Sequence, residues 1–286
     1  MKTAVVTDSN SGIFGDEARS LGIHVIPMPV IVDGRTYYEN EDITHEQFYE
    51  ALVGDRDVSS SQPSPGSLMD LWEMVLDDAD EIIYIPMSSG LSGSCQTAIA
   101  LSDDYDGKVQ VADNHRISVS MRQSVLRAVK LAKEGLSAKE IKERLEAEGP
   151  KSVVYLTVET LKYFKRTGRV TPAAAALGEL LNIKPVLVTR GDKFDTHAKV
   201  RGLHKAKAAM LEAVKKERET LFADVDDAGL AIGVASSCMD PEDAKAWHTM
   251  VQEYFPNIYT YYDPLSLSIA CHTGPNACGM SISLMP

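Results

Sequence analysis

The run Thr3-Ala4-Val5-Val6-Thr7, followed at once by Asp8-Ser9-Asn10-Ser11-Gly12, decides how this chain folds. A short apolar, β-branched run that breaks into polar turn formers reads as a buried strand with a loop at its carboxyl end. The same phrase returns further on. Glu81-Ile82-Ile83-Tyr84-Ile85-Pro86 leads into Ser88-Ser89-Gly90-Leu91-Ser92-Gly93-Ser94, and a strand over 109–112 leads into Asp113-Asn114. Helical stretches over 67–79 and 119–133, with another opening after 94, alternate with these strands. Strand, loop and helix in repetition predict a parallel sheet covered on both faces, with ligands held at the carboxyl ends of the strands. The loops at 8–9, 88–94 and 113–114 share that edge.

Working outward, a strand is expected over 24–32. Ser137, three residues before Glu140, gives capping-box spacing to a helix that ends at Gly149-Pro150. The pattern then changes. Strands are expected over 152–158, 185–189, 196–201 and 230–235, and helices over 159–165, 172–181, 203–221 and 241–254. Residues 259–269 and 279–284 alternate bulky and small side chains, as half-buried strands do. This second part reads as a mixed sheet with helices on one face. The expected fold is therefore α/β in two domains, an α/β/α parallel-sheet domain over 1–155 and a second α/β domain with a mixed sheet over 156–286. A length of 286 residues suits two cores of ordinary size.

Composition narrows the function classes. Hydrophobic residues make up 44% and charged residues 24%, an ordinary globular balance. A net charge of −12 disfavours nucleic acid and anionic membrane surfaces, which attract clustered Lys and Arg. The opening MKTAVVT lacks the apolar run of a signal peptide, and no stretch approaches the roughly 18 apolar residues of a membrane span. We expect a cytoplasmic protein with at most transient membrane contact. Cys95, Cys238, Cys271 and Cys278 lack CxxC pairing and zinc-ligand spacing, so they are expected to be reduced, small buried hydrophobes, with no metal site.

Four segments carry chemistry. Residues 88–94 follow a strand and open a helix, so their amides and hydroxyls can meet a carboxylate or phosphate at the positive end of the helix dipole; an ordinary Ser cap is the equal alternative. In Ser59-Ser60-Ser61-Gln62-Pro63-Ser64-Pro65-Gly66 the prolines hold hydroxyls in place, although a turn with an N-cap explains the same residues. Leu161-Lys162-Tyr163-Phe164-Lys165-Arg166-Thr167-Gly168-Arg169 gathers cations in an acidic chain, as an anion-binding or docking patch or as charges complementing a helix end before a Gly C′ residue. His272-Thr273-Gly274-Pro275-Asn276-Ala277 reads as a strand-end turn joining an imidazole to a hydroxyl, and a lone histidine is more often structural.

In series, TDS at 7–9, SSQPSPG at 60–66, SSGLSGS at 88–94, YFKRTGR at 163–169, KPVL at 184–187 and HTGPNA at 272–277 resemble the DegV family across essentially the whole chain. That family includes the fatty-acid-binding subunits of bacterial fatty acid kinase. The resemblance implies a parallel-sheet α/β/α domain, a second α/β domain and an enclosed acyl chain whose carboxylate lies near the domain junction. It implies that Ser60 and Ser92 donate hydrogen bonds to the carboxylate with the Gly93 amide close by. Arg169, His272, Thr273, Ser61 and Asp8 would form the head-group network or the partner-facing surface. The implied ligand is a long-chain fatty acid and the implied partner a separate ATP-dependent fatty acid kinase, with no cofactor and no catalytic residue in this chain. Ser60 stands where the family more often has Thr, Asn114 follows Asp113 in place of Ser, and Asn276 and Cys278 modify the terminal stretch.

The sequence lacks the GxxxxGK(S/T) loop and any kinase Gly-rich loop paired with a metal-binding DFG. Two other readings compete. A serine-dependent acyl hydrolase would use Ser92 as nucleophile and His272 as base, and a binder of a sugar or of dihydroxyacetone phosphate on a related fold would have a small polar pocket and no bound lipid.

Overall fold

A computed structural model describes residues 2–176 and 183–286. Its first sheet is parallel, with strands in the order Ile23–Ile26, Thr3–Asp8, Glu81–Ile85 and Val109–Val111. The strands are nearly continuous in apolar residues because both faces are covered. Val5, Ile83 and Ile85 pack on Val125, Val129 and Leu145 of the helices Ser118–Lys133 and Ala138–Glu148. Val6, Ile82 and Tyr84 point the other way, into a core with Trp72 of Pro65–Leu76 and Ala98 of Ser94–Ser102. Neighbours along one strand thus enter different cores, which is the strand's period of two made physical. The Ser137–Glu140 capping box forms as its spacing predicts.

The second sheet is mixed, in the order Asp195–Arg201, Ile183–Thr189, Ser152–Thr157, Cys278–Leu284, Leu230–Ser236 and Tyr259–Pro264, with only the last pair parallel. One face buries Met210 and Val214 of Leu203–Thr220 and Trp247 and Val251 of Pro241–Tyr254 against Tyr155, Val186 and Ile282. The opposite face, with Leu156, Leu187 and Ala235, turns toward Ile117, Val119 and Met121 at the start of Ser118–Lys133. The space between this face and the parallel-sheet layer holds the candidate site. Because Ser152–Thr157 pairs on both sides within the mixed sheet, we propose that the domains divide at 149–151, just ahead of this strand.

A third, three-stranded antiparallel sheet, Arg35–Tyr38, Pro29–Val32 and Val58–Ser60, was not expected. It corrects the single strand read over 24–32. Pro27 lacks the N–H a ladder needs, and the chain leaves the parallel sheet there, passes Met28 and enters the small sheet at Pro29. With the helix His45–Val53, this sheet packs Val30, Phe48 and Leu52 against Leu267, Ala270 and Cys271 from far along the chain.

The strand read over 259–269 is a second correction. Strand geometry stops at Pro264, and Leu267–Thr273 is a helix. Its cap is remote: the Leu267 N–H donates to Glu39 Oε2 at 2.9 Å, and Glu39 Oε1 lies 2.7 Å from His45 Nε2. The helix expected over 159–165 starts at Lys162, whose N–H donates to the Thr160 hydroxyl. The helix expected over 172–181 is formed over Pro172–Ala175, and residues 177–181 lie outside those described. Cys95, Cys271 and Cys278 are buried as expected, but Cys238 is exposed in the loop after Leu230–Ser236. Among the described residues no helix is long and apolar enough to cross a membrane.

Candidate functional site

The site grows from the carboxyl edge of the parallel sheet. At the end of the first strand Asp8 is fully buried. Its Oδ1 accepts the Asn10 N–H and its Oδ2 the Met87 N–H, both at 2.8 Å, which ties the first loop to the loop after Glu81–Ile85. Burial pushes its carboxyl up to about 6, against the pull of the two amides. Asp8 therefore supports the rim without lining the cavity; Met87, which it holds, does line it.

The 88–94 loop is pressed against the turn of the mixed sheet at Gly191. Ser88 Oγ donates to Gly191 O at 2.5 Å. A Cβ on Gly90 would lie 2.5 Å from that same carbonyl, so only glycine allows the approach. Ser92 Oγ accepts the Ser94 N–H at 3.2 Å and donates to Ser94 Oγ at 3.0 Å. Gly93 is the N-cap of Ser94–Ser102 and lies beside Gln62, which lines the cavity.

Opposite this loop, Ser60 ends the small sheet and Ser61 follows it, held by its N–H donating to Pro29 O at 3.1 Å. Ser60 Oγ lies 3.0 Å from His272 Nε2. His272 occupies the last turn of Leu267–Thr273, in place of the expected strand-end turn. Burial, aided by the charges of Arg169 and Arg166, pushes its imidazole down to about 4, so the ring is neutral. Among the described residues its buried Nδ1 has no partner. Arg169 reaches Leu91 O through Nε at 3.3 Å and Thr167 O through Nη1. Arg166 is anchored on Val58 O at 2.6 Å.

These side chains stand at the polar end of a cavity between the two sheet layers. Ser60, Ser61, Ser92, Arg169, His272 and Thr273 all line it, and the Ser60–His272 contact alone joins residues 212 apart. The rest of the wall is largely apolar. Leu91, Ile117 and Val119 come from the parallel-sheet layer, Leu156, Ala235 and Met280 from the mixed sheet, and Phe164, Phe194 and Ile269 close the sides. Such a space accepts a long apolar chain with one polar end and is poorly suited to a small polyhydroxylated ligand.

Sequence reading missed Met28, Phe164, Phe194 and Ser268 as lining residues. Phe164 falls inside the YFKRTGR segment, whose charges drew attention from its rings; the others carry no local signal. The Ser92–His272 pair of the hydrolase reading is not formed, since His272 meets Ser60 and Ser92 meets Ser94. A ring pushed down to about 4, with no carboxylate on Nδ1, is also a poor base. Among the described residues no group of three or more His, Cys, Asp or Glu is placed to hold a metal.

The profile described as an uncharacterised protein of the DegV family matches residues 2–284. A DegV domain-containing protein of Deinococcus radiodurans is 30% identical over 284 residues, covering 99% of this chain and 98% of the relative. The fold superposes on a DegV family protein from Thermus thermophilus, described for its fatty acid binding, with a TM-score of 0.88 and 30% identity over 100% of both chains. It also superposes on DegV, a fatty acid binding protein from Bacillus subtilis, with a TM-score of 0.86 and 27% identity over 99% of each. By sequence and by fold, the chain belongs to the DegV family.

Proposed function

We propose that this chain binds a long-chain fatty acid in the cavity, holds its carboxylate at the polar end, and presents it to a separate ATP-dependent fatty acid kinase in the cytoplasm. The observation that carries the reading is the meeting of Ser60, Ser92, His272 and Arg169 at one end of an otherwise apolar space. About a dozen buried methylenes contribute roughly 10 kcal/mol gross at about 0.8 kcal/mol each, so the tail supplies most of the affinity and the head group sets orientation. The carboxylate loses hydration on entry and needs donors in exchange. The Ser60 hydroxyl supplies one, and the Ser92 hydroxyl a second by turning its hydrogen from Ser94 Oγ to the carboxylate, with the Gly93 amide and the Arg169 charge close by.

His272 has a positioning role in this scheme. A neutral ring protonated on Nε2 donates to Ser60 Oγ and leaves the hydrogen of that hydroxyl to the carboxylate. Thr273, Ser61 and the Asp8-supported rim complete the head-group surroundings. Phosphoryl transfer needs metal-held ATP, which the kinase brings. The Lys165, Arg166 and Arg169 cluster serves as its docking surface or steadies the growing phosphate charge.

The test is mass spectrometry of lipid extracted from denatured, purified protein, with Ser60→Ala/Ser92→Ala alongside. Near-stoichiometric fatty acid in the parent and little in the variant is the expected result. Lipid in neither, with no uptake of added stearate, overturns it. Reconstitution with a fatty acid kinase then tests presentation, where an Arg169→Ala protein that supports full acyl-phosphate formation removes Arg169 from that step.

A further inference from the structure

We propose that the cavity is built for an acyl chain bearing an oxygen substituent, a hydroxyl or keto group along its length, which pairs with Ser118. The inference rests on the fatty-acid reading above and extends it to the class of chain.

Ser118 opens the 16-residue helix Ser118–Lys133 and lines the cavity between Ile117 and Val119. The residue is 9% exposed. Every other hydroxyl on that wall is already engaged. Ser60 meets His272, Ser61 donates to Gln62 O, Ser92 bonds to Ser94, Ser268 donates to Asn10 Oδ1 and Thr273 donates to Gly274 O. Among the described residues the Ser118 hydroxyl has no partner. Its neighbour Ser120, two residues along, has both: it donates to Ile117 O at 2.8 Å and accepts the Ile117 N–H at 3.3 Å.

The surroundings favour a ligand oxygen there. The helix has no acidic residue in its first turn, so its positive end is not neutralised locally. The first backbone amide to return to a carbonyl of this turn is that of Met121, to Ile117 O at 3.4 Å. A plain methylene passing Ser118 leaves its hydroxyl unpaired in an apolar wall. A chain hydroxyl satisfies it as donor or acceptor, and a keto oxygen accepts from it.

The experiment is displacement of a fluorescent fatty acid from the delipidated full chain by stearate and by a set of hydroxystearates substituted at successive positions. One regioisomer is expected to displace the probe about 3- to 10-fold more effectively than stearate, the value of one added neutral hydrogen bond. Ser118→Ala is expected to bring that regioisomer back to the stearate level without weakening stearate. Ser118→Gly is expected to do the same and suits the φ of 53° at this position, which guards against a folding defect. Stearate binding with no regioisomer preferred, or a preference that survives both substitutions, overturns the proposal and leaves the fatty-acid reading standing. Displacement by neither stearate nor any hydroxystearate overturns both.

Discussion

Replacing Ser60 by Ala removes one oxygen and disturbs two interactions. The first is the proposed bond to the fatty acid carboxylate. A hydrogen bond to a charged group is worth about 1.5–3 kcal/mol, so binding should weaken about 10- to 150-fold. The second is the 3.0 Å contact with His272 Nε2. Among the described residues His272 Nδ1 already lacks a partner, so the variant leaves both ring nitrogens unpaired there, at a cost of about 1–3 kcal/mol to the empty protein. At roughly 2–4 °C per kcal/mol, the melting temperature should fall by about 2–12 °C. Displacement of a fluorescent fatty acid reads the first effect and calorimetry of delipidated protein reads the second. Ser60→Thr keeps the oxygen and should stay within about threefold of the parent in affinity. Ser60→Ala and His272→Ala should be non-additive by at least about 0.5 kcal/mol. Affinity within about twofold of the parent in Ser60→Ala would refute the assignment of Ser60 as a carboxylate donor.

Three further outcomes follow from the geometry. Gly274→Ala forces a side chain onto φ 72°, ψ −176°, with its Cβ 2.2 Å from Tyr163 Cδ2, so it should cost about 2–5 kcal/mol and displace His272; an unchanged thermal transition contradicts this. The folded-state pKa of His272, about 4, lies below its ordinary 6.5, so the folded protein binds fewer protons there than the unfolded chain. The stability this gives is present above pH 6.5 and is lost as pH falls toward 4, by up to about 3 kcal/mol. His272→Gln should flatten that part of the denaturant-measured profile, and identical slopes in both proteins rule it out. Phe194→Ala opens the cavity wall and should destabilise the empty protein by about 3–5 kcal/mol. A long-chain fatty acid should then raise the variant's melting temperature more than the parent's, and an equal shift means Phe194 does not contact the chain.

Legibility in the sequence follows from how local each cause is. Thr3–Asp8 and Glu81–Ile85 announce themselves because a doubly covered parallel strand is apolar throughout. The Ser137 cap and the helix Pro241–Tyr254 are written in adjacent residues. The small sheet was not legible, because Arg35–Tyr38 presents no apolar alternation and Val58–Ser60 has only 3 residues. The first residues of Leu267–Thr273 read as the end of a strand over 259–269 because the helix start is fixed by Glu39, 228 residues away. At the site, the segments with Ser60, Ser92, Arg169 and His272 could be picked out by composition and family likeness. The pairing of Ser60 with His272 and the tunnel walls depend on side chains that only the fold brings together.

The remote cap on Leu267–Thr273 bears on how the protein comes to exist in a cell. Glu39 holds the start of that helix, Asn10 accepts from Ser268 across 258 residues, and Ser60 meets His272 across 212. A nascent chain can close the parallel sheet while the ribosome is still working, because its four strands all lie before residue 112. It cannot bring Ser60 and His272 together until residue 272 has emerged, and loop closures of that span are slow. Closure of the cavity is thereby deferred past synthesis of Leu267–Thr273. A stalled or truncated chain presents an open apolar face to chaperones and proteases and lacks the His272 and Thr273 side of the cavity.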